Sequence, residues 1–315
     1  MNLQQKEMLK KGVKVLGKLI SILSIVFIAR AVYVLGFDFS AVDDWGIFLG
    51  VTLLSAIAKC ITVYMSGNGW YGWLSFFAGE DNQRKEALCV YAKANIGKYL
   101  PGNVMHFVER NLFADKMGIS QKKIAISTVM EVVSLVTVAL VIPVLFSFKQ
   151  LEQAFRHVLG ENYAMTVLVT LVLGIVVMVA LFILLRKKML EILEGYGITS
   201  FVEAFFKNMV WYALELSTLG AIMVALYCYM GGQFTLENTK LIISGYIIAW
   251  VFGFVAPGAP GGIGVRELVI TLLLGGVVGE GLIVTLSVTH RLITIIGDFM
   301  AYFVMLIIKW KSKEE

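Results

Sequence analysis

The sequence predicts an all-α polytopic membrane protein with about six spanning helices and two re-entrant helical hairpins. Three observations predict it. First, mean hydropathy is +0.81 over 315 residues, with 58% hydrophobic and 16% charged residues, more apolar surface than a soluble domain of this size can hide. Second, six apolar runs each reach about the 20 residues that a hydrocarbon core of roughly 30 Å requires. Third, two further apolar stretches are broken by proline, glycine and charge at matching places in the two halves of the chain.

The spans are placed at residues 13–36, 45–66, 124–148, 164–185, 208–230 and 282–308. The first is too long for the 7–15-residue apolar core of a signal peptide and lacks a small-residue cleavage site, so it is expected to remain as a span. Lysine and arginine divide unevenly between the flanks. Twenty fall on one side, including Lys10, Lys85, Lys98, Arg110, Lys188 and Lys311, and three on the other, Lys149, Arg156 and Lys240. The positive-inside bias then places both termini in the cytoplasm, and a cell (plasma) membrane is the expected location. These charges suit an anionic inner leaflet and call for no nucleic-acid partner. Lys14, Lys18 and Arg30 read as snorkelling anchors.

Residues 87–118 begin and end among the inner charges. Their arms flank Pro101-Gly102 and are too short to cross, so a hairpin entering from the cytoplasm is expected. Residues 241–279 flank a second break, from Pro257 to Gly264, and are expected to enter from the outer face. Opposite entry is the relation of inverted repeats. The chain thus reads as one membrane domain, residues 1–315, in two pseudo-repeats, 1–160 and 161–315. Eight full spans are the alternative.

Each break carries an arginine nine residues after its first proline, Pro101 to Arg110 and Pro257 to Arg266, and a carboxylate adjoins each, Glu109 and Glu267. Non-helical backbone at membrane depth is tolerated only where it packs in protein or lines a polar cavity. The breaks at Pro101, Gly102, Pro260, Gly261 and Gly262 therefore mark a candidate site, and the helix start after the second break is a candidate anion seat. Charges within spans need interior partners. Glu131, Arg291 and Asp298 qualify, with Arg291 and Asp298 on one helix face. Arg110, Arg266 and Arg291 are expected to bind a phosphate, balanced by Glu131, Glu267 and Asp298 when it is absent. A purely structural ion-pair network is the competing reading. Lys59 reads either as a further cation of the site or as an interfacial lysine, and Glu215 lies at equivalent depth in the fifth span.

No nucleotide loop, metal-ligand spacing or nucleophile elbow is present, so no cofactor or metal is called for. His106, His157 and His290 lack metal spacing, and Cys60, Cys89 and Cys228 read as small buried residues without a disulfide framework. Trp70, Tyr71 and Trp73 are expected to form an interfacial aromatic belt.

With these motifs in place, the chain resembles the lysylphosphatidylglycerol synthase transmembrane region family. YLPG, Arg110 and Glu131 in the first half, then PGGIGVRE (residues 260–267) and Arg291 in the second, carry the resemblance, which runs from the first span to Lys309. Val132 departs from the pattern, since members often have an arginine after that glutamate. The resemblance implies a flippase-like module that moves a phospholipid, such as aminoacylated phosphatidylglycerol, or a polyprenyl-phosphate glycolipid. The 315 residues carry no synthase domain, so synthesis is not expected. Two alternatives remain: a phosphatidylglycerol lysyltransferase-type protein, or a membrane scaffold subunit for a lipid-synthesising or cell-wall enzyme partner.

Overall fold

The computed structural model describes residues 42, 44–79, 83–99, 105–114, 117–159, 195–256, 260–262 and 264–311. The expected spans at 13–36 and 164–185, the anchors Lys14, Lys18 and Arg30, and the turn at Pro101-Gly102 lie outside these residues. The described chain is helical throughout. Its eight α-helices are α1 (Trp45–Ala78), α2 (Arg84–Asn95), α3 (Met105–Ala114), α4 (Gln121–Leu159), α5 (Ile198–Tyr229), α6 (Leu236–Val255), α7 (Val265–Val278) and α8 (Glu280–Lys311). Short 3₁₀ turns cover Ile96–Tyr99 and Pro260–Gly262.

This is an all-α membrane protein, and its burial pattern is the physical reason. Lys59, Arg110, Glu131 and Asp298 are almost wholly buried, while Leu49, Leu53 and Leu54 on α1 and Leu145 and Phe146 on α4 are exposed. Water would reverse that arrangement; hydrocarbon favours it. Among the described residues, four helices are long and apolar enough to cross a bilayer: Trp45–Ala78, Gln121–Phe148, Ile198–Tyr229 and Leu282–Ile308.

α1 starts where the Asp44 carboxylate accepts from Gly46 N at 2.7 Å and Ile47 N at 3.0 Å. It runs 34 residues, twelve beyond the expected end at 66. The extension corrects the aromatic-belt expectation. Trp70 and Trp73 are fully buried and Tyr71 nearly so, because α4 answers both indoles: Trp70 Nε1 donates to Thr128 Oγ1 and Trp73 Nε1 to Ser134 Oγ, each at 3.2 Å. A ring whose polar edge is satisfied inside has no reason to seek an interface. Gly69 and Gly72, one turn apart, let α5 approach, since a Cβ at either would run into Tyr212 or Asn208.

α4 contains Pro143 and leaves helical geometry at Ser147, near the expected end of that span. The Ser147 hydroxyl donates to Lys240 O at 2.9 Å and accepts from Ser244 Oγ at 2.8 Å, which docks the break onto α6. α5 begins at Ile198, ten residues before the expected 208, directly after Gly197.

The two interrupted stretches form helix–break–helix units whose arms pack on each other, α2 on α3 and α6 on α7. α2 has 12 residues and α3 has 10, so α3 extends only about 15 Å and cannot cross a core of roughly 30 Å. α6, capped by Thr235 (Asn238 N to Oγ1, 3.1 Å), begins at Leu236 and has 20 residues, longer than the expected arm from 241. The units meet at their breaks. A Cβ on Gly261 would stand 3.5 Å from Tyr99 Cδ1 and 3.6 Å from Lys98 O. Gly261 (φ 57°) and Gly262 (φ 76°) adopt left-handed backbone, and Gly262 lies so close to the Gly253 backbone that a side chain has no room.

The short α2–α3 unit has a direct topological consequence. Single cysteines replacing exposed Lys85 and Gln121, in a cysteine-free background, are expected to react with an impermeant maleimide from the same face of the membrane. Labelling from opposite faces would turn this unit into a full crossing and support eight spans.

Candidate functional site

A polar cavity of about 80 Å³ lies where the two breaks meet α1, α4, α5 and α8. It is bordered by Tyr91 from the apolar cluster of the first unit and by Leu219, Tyr246 and Trp250 from that of the second. Five cations line it: Lys59, Lys98, Arg110, Arg266 and Arg291. Glu131 and Glu215 line it too, and Asp298 joins through its lysine partners.

Arg110 and Glu131 form a buried ion pair between α3 and α4. Tyr91 OH donates to the other carboxylate oxygen at 2.8 Å. The guanidinium also sits over aromatic faces, 4.2 Å from the Tyr91 ring centroid, 5.1 Å from Trp70 and 5.7 Å from Phe107. Ser127, Thr128, Glu131 and Ser134 make a buried polar stripe at helical spacing on α4, so Glu131 faces inward with the residues that hold the α1 indoles. His106, one turn before Arg110, lines the cavity as well.

Asp298 on α8 is the second charge centre, and its partners differ from the expectation. It does not balance Arg291. Its carboxylate takes Lys59 Nζ at 3.1 Å, Lys98 Nζ at 2.6 Å and Asn95 Nδ2 at 2.9 Å, and also accepts from Tyr99 OH. One carboxylate therefore ties α1, α8 and the first break together. Lys59 belongs to the site and not to an interface. Gly297 makes this possible, because a Cβ there would stand 2.5 Å from Lys59 Cγ. Lys98 and Arg110, counted by sequence among the inner-flank charges, are in the cavity; removing both from that count leaves the charge bias intact. Lys98 was legible in principle, since Tyr91, Asn95 and Lys98 form a polar helical stripe inside a stretch already assigned to the membrane.

Glu267 corrects another expectation. It makes no ion pair with Arg266 among the described residues; instead its carboxylate accepts from Gly264 N at 2.6 Å and caps its own helix, α7. The helix start proposed by sequence as an anion seat thus already holds a carboxylate of the chain, and the free positive charge lies with the arginines. Arg266 passes over Gly253, which has no side chain to block it, and lies 5.8 Å from the Trp250 ring centroid. Arg291 donates to Gly261 O at 2.5 Å and so holds the second break. Neither arginine has a carboxylate partner among the described residues. Among the described residues, the Nε atoms of Arg110, Arg266 and Arg291, the Tyr246 hydroxyl, His106 Nδ1 and one Glu215 carboxylate oxygen are buried without a hydrogen-bond partner.

Pro260 opens the second break, Gly261 lines the cavity, and Gly262 backs onto Gly253. His290 lies away from the lining and contacts Leu219 O at 3.0 Å. Among the described residues no three His, Cys, Asp or Glu side chains gather as a metal site. Among the described residues, Cys60, Cys89 and Cys228 form no disulfide. Comparison with known protein families, curated proteins and solved structures returns no match.

Proposed function

We propose that this protein is a lipid translocase that passes the phosphate-bearing headgroup of a phospholipid or polyprenyl-phosphate lipid through the cavity between the two breaks. It acts in the plasma membrane with both termini cytoplasmic, the orientation favoured by the lysine and arginine bias. The observation that carries the reading is the pair Arg266 and Arg291, two cations on one cavity wall of a membrane protein, neither of them ion-paired to a carboxylate among the described residues. A charge that faces a protein interior in the membrane without a counter-charge is costly, and it is retained where a ligand completes it. Two helical units that meet by their breaks supply what alternating access needs: a polar point at depth and two elements able to open on either side. The resemblance to the flippase-like membrane family, carried by PGGIGVRE, Arg110, Glu131 and Arg291, supports the same reading.

The test is movement without chemistry. Purified protein in vesicles containing fluorescent phosphatidylglycerol, phosphatidate and a polyprenyl phosphate is expected to speed exposure of at least one of them to an outer-leaflet quencher, with the lipid recovered unchanged. Vesicles no faster than protein-free controls for all three lipids would exclude translocation. Recovery of lysyl lipid after adding lysyl-tRNA would instead favour the lysyltransferase reading.

A further inference from the structure

We infer that the cavity is built for a phosphomonoester carrying two negative charges, so that the lipid it takes bears a terminal phosphate and not a phosphodiester headgroup. This deepens the translocase reading and rests on it. Three features on the cavity wall lead there.

The first is charge. Glu131 offsets Arg110, and Asp298 together with Glu215 offsets Lys59 and Lys98. Among the described residues that line the cavity Arg266 and Arg291 remain, a surplus of two positive charges facing one small space. A phosphodiester brings one negative charge and leaves one arginine uncompensated at low dielectric. A phosphomonoester, with a second ionisation near pH 6, brings close to two at neutral pH and above.

The second is donor count. Arg110 Nε, Arg266 Nε, Arg291 Nε and Tyr246 OH are buried donors without a partner among the described residues, and all four residues line the cavity. A terminal phosphate presents three strong acceptor oxygens, a diester only two non-bridging ones. The monoester therefore satisfies more of these groups, each of which is costly to leave unmade.

The third is size. The cavity, about 80 Å³, is on the scale of one phosphoryl group with a little water. A diester substituted on both sides has a second organic arm to place in the same polar space.

The probes are soluble six-carbon-chain lipids at pH 8, phosphatidate against phosphatidylglycerol, with inorganic phosphate as a third arm, measured by calorimetry on the detergent-purified protein. Phosphatidate is expected to bind at least about tenfold more tightly than phosphatidylglycerol, the gain from one further charge-assisted bond. It is also expected to bind more tightly than inorganic phosphate, which lacks the lipid body. Arg291→Gln, which removes one surplus charge and keeps a donor for Gly261 O, is expected to shrink the preference over phosphatidylglycerol to about threefold or less. Equal binding of phosphatidylglycerol overturns the two-charge assignment and leaves translocation standing. Inorganic phosphate binding as tightly as phosphatidate shows a free-phosphate site and overturns the lipid assignment. Absence of binding by all three probes overturns the phosphate site altogether, while phosphatidate selectivity in a protein that moves no lipid removes the translocase reading and keeps the site's charge assignment.

Discussion

Asp298→Asn is expected to lower the unfolding free energy of the detergent-purified protein by about 3–5 kcal/mol, the range for removing one partner of a buried ion pair. The aspartate is fully buried and accepts from Lys59, Lys98, Asn95 and Tyr99. The asparagine keeps the shape and one acceptor, but leaves two lysines in a low dielectric with only Glu215, which forms no ion pair with either among the described residues, to offset them. Adding Lys59→Met to Asp298→Asn removes one of those charges and is expected to recover part of the loss, a coupling that denaturant or thermal unfolding of the single and double variants reads directly. If Asp298→Asn unfolds within about 0.5 kcal/mol of the parent, the lysines have other compensation and the network does not tie α8 to the first break.

Arg266 is expected to behave in the opposite way. Arg266→Lys keeps the charge and loses the planar fork, so transport is expected to fall about tenfold or more, each 1.4 kcal/mol of lost interaction being a factor of ten. Arg266→Met is expected to abolish transport and to leave thermal stability equal to the parent or higher. The reason is structural: Glu267 is held by Gly264 N, so removing Arg266 strands no carboxylate and relieves a half-buried cation that has no ion pair among the described residues. A residue that costs stability to keep and activity to lose is a functional residue. Parent-level transport by Arg266→Lys, together with a large stability loss in Arg266→Met, would make this arginine structural and move the phosphate site elsewhere.

The two expectations part on a difference that sequence did not reveal. Arg266 and Glu267 are adjacent in the chain, which invites pairing them; helix geometry separates them, because a carboxylate at the third position of a helix reaches back to the free N–H groups at its start. Asp298 and Arg291 share a face of α8, seven residues apart, yet each is claimed by a different partner, Asp298 by Lys59 and Lys98 and Arg291 by the Gly261 carbonyl.

What the sequence determined by itself was the class and the outline. Hydropathy marks an all-α membrane protein, since only helices satisfy their own backbone in lipid over such runs. Proline and glycine mark the two breaks, because they alone stop a helix without regard to what surrounds it. The requirement that charge in a span face inward marks Glu131, Arg291 and Asp298 as interior. Only the tertiary structure decided the partners. It turned Trp70 and Trp73 from a belt into a core by setting Thr128 and Ser134 opposite them, and brought Lys98 from an assumed flank to Asp298, 200 residues away. Inwardness is a property of one helix and is written in its own periodicity. Pairing depends on the rotation and depth of two helices packed together, which local sequence does not encode.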